Sequence, residues 1–204
     1  RELLTTLLPA LLQAIAETAN PNATLGRFDR FLSNLPTGVQ LFSMLTARPQ
    51  LLDLLAEITG SAPRLANYLA ENSSVVDAMI SAEFLAAPPA LTALQVEFAA
   101  ELNTAEDFQD VLDLTRRRVK EHKFQIGVQI LGSTIDADQS GGAYADLAQA
   151  ALASLLPRVR QAFAESEGHG GIAGGALAVL AMGKMGSREM TGESDLDLIF
   201  VYDY

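Results

Sequence analysis

Apolar residues at the start of the chain recur at helical spacing. Leu3, Leu4, Leu7, Leu8, Leu11, Leu12 and Ile15 return every third or fourth position, which lays them along one face of a helix. The pattern stays helical to about Asn103 but is cut into short pieces by Pro21, Gly26, Pro36-Thr37-Gly38, Pro49, Gly60, Pro63 and Pro88-Pro89. Proline suits a first helical turn, whose N–H lacks an intrahelical partner, and glycine suits a helix end. Leu51-Leu52-Asp53 is echoed by Val75-Val76-Asp77 at an offset of 24. The echo hints at stacked helical hairpins, although two copies fall short of a solenoid.

Thr104 reads as the N-cap of a long helix running to about Leu131, with Glu106 and Asp107 in the first turn, where the helix dipole favours carboxylates. Gly132 ends it. Asp136 to Gly142 reads as a polar loop, Tyr144 to about Glu165 as an amphipathic helix carrying Leu147, Ala151, Leu155 and Val159 on one side, and Glu167 to Gly175 as another loop. The grammar then changes. Ala176 to Met182 is an apolar run bounded by glycines, which suits a strand buried on both faces. Leu196 to Tyr202 is a second strand, reached through a connection, Gly183 to Ser194, rich in glycine, serine and charge. The expected architecture is α+β: a helical segment over 1–103, then helices and a small sheet over 104–204.

Composition narrows the function classes. With 49% hydrophobic and 19% charged residues in 204, the chain can build a core and is not disordered. Its 14 Lys+Arg against 25 Asp+Glu give a net charge of -11, the wrong sign for gripping nucleic-acid phosphates, so no nucleic-acid partner is expected. The absence of cysteine excludes disulfides, thiolate metal sites and cysteine nucleophiles, and permits a cytoplasmic location. The greasiest uncharged stretch, Gly170 to Gly183, is glycine-rich and shorter than the ~20 apolar residues a membrane helix needs. No membrane association is expected. The chain begins Arg1-Glu2, shows no signal-peptide pattern and stops within the apolar run Leu198 to Tyr204, so a piece of a longer protein is expected.

Chemistry concentrates in Gly183-Lys184-Met185-Gly186-Ser187-Arg188-Glu189-Met190 and Ser194-Asp195-Leu196-Asp197-Leu198. If the second stretch is extended, its period of two puts Asp195 and Asp197 on one face while Leu196 and Leu198 enter the core. Two adjacent carboxylates form a hard, oxygen-rich pocket suited to Mg²⁺ or Mn²⁺. Gly183 and Gly186 let backbone N–H groups approach a triphosphate, and Ser187 adds a hydroxyl donor. A P-loop is excluded twice: Ala178 stands where its first glycine belongs, and Met185 where Ser or Thr would hold the metal. Taken alone, the D-x-D reads equally well as the polar edge of an amphipathic strand; joined to the preceding strand and glycine turn, it reads as a site for a metal-bound nucleoside triphosphate.

The strings G-K-M-G-S-R-E-M and S-D-L-D-L-I-F resemble the active-site signature of the glutamine synthetase adenylyltransferase/adenylyl-removing enzymes, members of the nucleotidyltransferase superfamily. The helical stretches around Arg27 to Leu32, Leu41 to Leu45 and Ala62 to Ala66 look like the region joining that family's two catalytic halves, and Leu112 to Gly132 like the helix before a catalytic sheet. The resemblance implies that 1–103 is a helical linker or regulatory segment and that 104–204 is the first part of a nucleotidyltransferase domain. It assigns Gly183, Lys184, Gly186, Ser187 and Ser194 to nucleotide binding, and Asp195 and Asp197 to catalysis and metal binding. ATP would be the substrate, Mg²⁺ or Mn²⁺ the cofactor, glutamine synthetase the protein acceptor and the PII nitrogen-signalling protein a further partner. The helical segment ahead of the motif favours the AMP-attaching half; the AMP-removing phosphorylase half and a helical interaction module without chemistry remain alternatives. The superfamily's third carboxylate belongs to a later strand than any here. Asp203 has the right parity but lies too far along at ~3.3 Å per residue, so the chain is expected to be catalytically incomplete.

Arg116, Arg117, Arg118, Lys120 and Lys123 could approach a triphosphate or an acidic partner, but consecutive helical residues diverge and such runs commonly face solvent. His122 and His169 lack a second ligand of their kind nearby, and Phe28, Phe31, Phe42 and Met44 sit at core spacings.

Overall fold

The prolines of the helical region become helix starts. In the computed structural model α2 (Pro21–Ser33), α4 (Pro49–Ser61) and α5 (Pro63–Glu71) each begin on proline, and α8 (Leu91–Leu102) follows Pro88-Pro89. Residues 2–34, 38–72, 75–79, 81–166 and 176–203 are described. The break expected at Pro36-Thr37 and the loop expected at 167–175, with His169, lie outside them. The other helices are α1 (Glu2–Ala16), α3 (Gly38–Ala47), α6 (Val75–Met79), α7 (Ala82–Leu85), α9 (Phe108–Leu131), α10 (Ala137–Ser166) and α11 (Gly183–Ser187); β1 (Leu177–Ala181) and β2 (Leu198–Tyr202) form the sheet. The fold is mostly helical α+β, as the sequence pattern led one to expect.

The chain divides into two compact units, residues 1–86 with 127–134, and residues 87–126 with 135–204. In the first, α1 packs on α3 and α4, and α2 on α4 and α5. Leu7, Leu11 and Ile15 form the buried row of α1, whereas Leu8 and Leu12 are exposed. Phe28 and Phe31 are fully buried and meet edge to face, 5.9 Å between centroids, a geometry that adds about 1 kcal/mol to their burial. On α3 the buried residues are Leu41 and Leu45; Phe42 and Met44 are only half-buried. Arg27 Nη1 donates to Thr59 O at 2.6 Å and satisfies a carbonyl at the end of α4. The fully buried Gln129 donates through Nε2 to Phe84 O at 3.0 Å and Ala86 O at 2.6 Å, while its Oε1 has no partner among the described residues.

In the second unit α10 lies along α8, and the core gathers Leu94 and Phe98 of α8, Ile126 of α9, Tyr144, Leu147 and Ala150 of α10, and Met185 and Met190 beside the sheet. Two helix starts differ from expectation. α9 begins at Phe108 because Asp107, not Thr104, is its cap: Asp107 Oδ1 accepts from Asp110 N at 2.8 Å. Thr104 closes the previous helix, donating to Glu101 O at 2.7 Å. α10 begins at Ala137 and runs straight through the expected glycine loop. Asp136 Oδ1 accepts from Gln139 N at 2.8 Å and Gln139 Oε1 accepts from Asp136 N at 3.0 Å, a reciprocal capping box that starts the helix early.

β1 and β2 pair antiparallel in the register Leu177 to Tyr202 through Ala181 to Leu198. The expectation of a strand buried on both faces is not met. Leu177, Val179 and Leu198 are half-buried on one face, whose Phe200 and Tyr202 are nonetheless exposed; on the other Leu180, Ile199 and Val201 are exposed, because among the described residues no element covers it. Leu196, expected in the core, is 45% exposed: it precedes β2, and strand alternation does not govern its direction.

Candidate nucleotide and metal site

β1 passes directly into α11. Gly183 makes the turn with φ 53°, in the left-handed region that a β-carbon strains. Gly186 permits close packing of α11 on the strand end, since a β-carbon there would lie 2.7 Å from Ala181 O. α11 closes with two bonds, Arg188 N to Met185 O at 3.2 Å and Glu189 N to Lys184 O at 2.9 Å. Glycine usually takes the left-handed position of this motif. Here Arg188 takes it at φ 61°, a strain of ~1–2 kcal/mol. Its guanidinium reaches α10, where Nη2 lies 2.7 Å from Asp146 Oδ1 and donates to Gly142 O at 3.4 Å. Met185 and Met190, on either side of Arg188, are buried, so the loop is pinned from within while Lys184, Ser187 and Glu189 stay exposed.

Met182 N donates to Asp197 O at 2.8 Å and carries the strand pairing one rung beyond β2. Asp197 is thereby set at the turn into α11, and a β-carbon on Gly183 would collide with its Oδ2. Asp195 lies two residues upstream, exposed and outside the ladder. Among the described residues neither of these carboxylates is hydrogen-bonded or ion-paired. Ser194 is half-buried and closes its own turn: its Oγ accepts from Thr191 N at 2.9 Å and lies 3.1 Å from Thr191 Oγ1. Ser187 Oγ donates to Glu189 Oε2 at 3.2 Å. The fold thus brings Gly183 and Asp197 into contact, keeps Lys184, Gly186 and Ser187 together on α11, and leaves Ser194 and Asp195 on the following loop.

Two free carboxylates two residues apart offer only hard oxygen donors. That chemistry fits Mg²⁺ or Mn²⁺, which accept one or two protein carboxylates and complete their shells with phosphate oxygens and water. Among the described residues no group of three or more His, Asp or Glu side chains gathers into a closed metal site.

The basic run of α9 is largely spent within the unit. Arg116 pairs with Asp113 at 2.9 Å, Arg117 with Glu101 at 2.7 Å, and Arg118 with Glu101 and, at 2.9 Å, with Glu121. Burial alone would raise the Glu101 carboxyl, but hydrogen bonds and charge from Arg118 and Arg117 outweigh it and hold the group below its ordinary value. His122 Nε2 lies 3.2 Å from both Glu97 oxygens, with its ring near Phe98, and plays no part at the turn. Lys123 differs: its Nζ donates to Gly192 O at 3.0 Å. Gly192 also abuts Tyr144, whose phenol burial pushes up to about 12. Sequence reasoning missed these supports, along with Gly141 and Asp146. The Asp136 to Gln139 capping spacing was the available signal, since it starts α10 early enough to put Gly141, Gly142 and Asp146 on one helix.

The profile of the glutamate-ammonia ligase adenylyltransferase family matches residues 52–204. Over its whole length the chain is 43% identical to a bifunctional glutamine synthetase adenylyltransferase/adenylyl-removing enzyme of Brucella suis and 43% identical to that of Mesorhizobium japonicum, covering 20% of each. The protein of the same name from Rhizobium meliloti is 41% identical over 208 aligned positions, again with 20% of its length covered. The chain therefore spans about a fifth of the curated relatives it matches. Among the described residues no helix is long and apolar enough to cross a membrane.

Proposed function

Because the chain belongs to the glutamate-ammonia ligase adenylyltransferase family, we propose that residues 183–197 hold the phosphates and divalent ion of ATP, and that the full-length enzyme transfers AMP to a tyrosine hydroxyl of glutamine synthetase. The observation that carries this reading is the pair of free carboxylates, Asp197 fixed against the left-handed Gly183 and Asp195 two residues before it. Asp195 and Asp197 hold the ion. Lys184 on α11 offers an exposed ammonium to the phosphates, and Gly183, Gly186 and Ser187 keep the turn narrow enough for them to approach. In the transfer, the hydroxyl oxygen bonds to the α-phosphorus, the bond from that phosphorus to the bridging oxygen breaks, pyrophosphate departs and the hydroxyl proton passes to solvent. A bound divalent ion supplies charge neutralisation to the phosphates and acidifies the incoming hydroxyl. A third carboxylate from elsewhere in the enzyme completes the ion's protein ligands.

The helical residues 1–103 serve as linker and as a surface for regulators such as the PII signalling protein, and the enzyme works in the cytoplasm. The test uses the full-length enzyme, glutamine synthetase, Mg²⁺ and ATP labelled on the α-phosphate, beside an Asp195→Asn, Asp197→Asn double variant. Label on glutamine synthetase that vanishes with the variant is expected. Full labelling by the variant overturns the reading. Loss of AMP removal by phosphate, with labelling intact, transfers the site to the opposing activity.

A further inference from the structure

The loop joining α11 to β2 carries Asp195 and Asp197, and Lys123 on α9 donates into its far half. Thr191 and Ser194 bind each other through Thr191 N to Ser194 Oγ at 2.9 Å and Ser194 N to Thr191 O at 3.1 Å, so the turn is closed on itself. Lys123 Nζ reaches across 69 residues of sequence to donate to Gly192 O in the middle of that turn. Tyr144 packs against the same glycine, where a β-carbon would lie 3.2 Å from its hydroxyl. The neighbouring Arg116, Arg117 and Arg118 are matched to carboxylates, whereas the half-buried ammonium of Lys123 meets a neutral carbonyl. A carbonyl offers it less electrostatic return than a carboxylate, so the contact is selective in place rather than in charge. Asp195 follows Gly192 by three residues, at most ~10 Å of chain. A shift of the turn therefore reaches Asp195 through three residues of loop, ahead of Asp197, whose backbone Met182 N also holds.

We propose that Lys123 is a positioning residue for Asp195 and Asp197: by holding Gly192 O it sets the loop from which both carboxylates reach a divalent cation. The inference rests on the metal-site reading above. It is tested in the full-length enzyme by Mn²⁺ binding, followed by electron paramagnetic resonance in the presence of a non-hydrolysable ATP analogue, together with the Mg²⁺ dependence of AMP transfer. Lys123→Met keeps the aliphatic stem and removes the donor. It should weaken Mn²⁺ binding at least fivefold and raise the half-saturating Mg²⁺ by a similar factor, with kcat at saturating Mg²⁺ changed less than threefold. Lys123→Arg, which can still donate to Gly192 O, should bind Mn²⁺ within twofold of the parent. If Lys123→Met does not fold, Lys123→Leu, which also lacks a donor, takes its place against Lys123→Arg with the same fivefold difference expected. Unchanged Mn²⁺ binding in the donor-lacking variant, or equal weakening in the arginine variant, overturns the proposal. The Asp195→Asn, Asp197→Asn enzyme separates the two levels. If it binds Mn²⁺ and transfers AMP like the parent, the metal-site reading fails and the role of Lys123 with it. If it does neither while Lys123→Met matches the parent, the positioning role alone fails.

Discussion

Gly183 and Asp197 lie so close that a β-carbon on the glycine would run into the carboxylate Oδ2. Two penalties fall on Gly183→Ala, the left-handed φ of 53° and this collision. The first is worth ~1–2 kcal/mol. The second forces Asp197 aside. AMP transfer by the full-length enzyme should fall at least a hundredfold, while the melting temperature drops by only a few degrees. A variant with near-parental transfer would show that Asp197 need not sit against the turn.

Gly141 and Gly142 separate packing from helix propensity. On a helix, alanine is favoured over glycine by ~1 kcal/mol. Among the described residues a β-carbon at Gly142 meets only Arg188 Nη2 at 4.0 Å, so Gly142→Ala should stabilise by about 0.5–1 kcal/mol. At Gly141 the β-carbon would lie 3.0 Å from Arg188 O and 3.3 Å from Glu189 Cα, both backbone. Gly141→Ala should lose that gain and push the loop off α10. Urea unfolding of the two variants should give shifts of opposite sign.

Arg188 and Asp146 should show measurable coupling. The pair is 2.7 Å apart with side-chain exposures of 48% and 20%, which places it among the weaker ion pairs, at ~0.5–1 kcal/mol. A double-mutant cycle with Arg188→Ala and Asp146→Ala, read by urea unfolding, measures it. Arg188→Gly should be less destabilising than Arg188→Ala, because glycine removes the left-handed strain. Equal effects would mean that the strain is relieved in another way.

Glu101 predicts an acid-sensitive unit. Its carboxyl is held below the ordinary value in the folded chain, where Arg118 and Arg117 outweigh burial, so the unfolded chain binds the proton more readily. The resulting stability is present above the unfolded value near 4.5 and is lost as pH falls through the folded value. Urea midpoints measured from pH 6 down to pH 3 should decline more steeply for the parent than for Glu101→Gln. Parallel curves would remove Glu101 from the acid response.

Much of this fold was legible because its signals are local. Pro21, Pro49 and Pro63 mark helix starts by their own backbone chemistry, and the apolar runs locate both strands to within two residues. The misreadings arose where a nearby side chain or a missing neighbour decided the outcome. Asp107 displaced Thr104 as a cap, the Asp136–Gln139 pair carried a helix across two glycines, and the open sheet face left Leu180 and Ile199 in solvent. At the site, glycine spacing and D-x-D drew the eye to Gly183 and Asp197, which meet. The supports from Lys123, Tyr144 and Asp146 were invisible because their partners lie tens of residues away and local patterns do not encode such pairings.

Those distant supports also impose an order of assembly. The anchors on α9 and α10, Lys123, Gly142 and Asp146, all precede the loop they hold, which begins only after α11. Contacts this remote in sequence cannot reward the chain until the segments between them have collapsed. During synthesis, which proceeds from the amino terminus, both helices are made before the first residue of the turn is added. The carboxylate-bearing loop then needs only to settle on a surface already made, and it is the part of the unit that a brief destabilising excursion should release first.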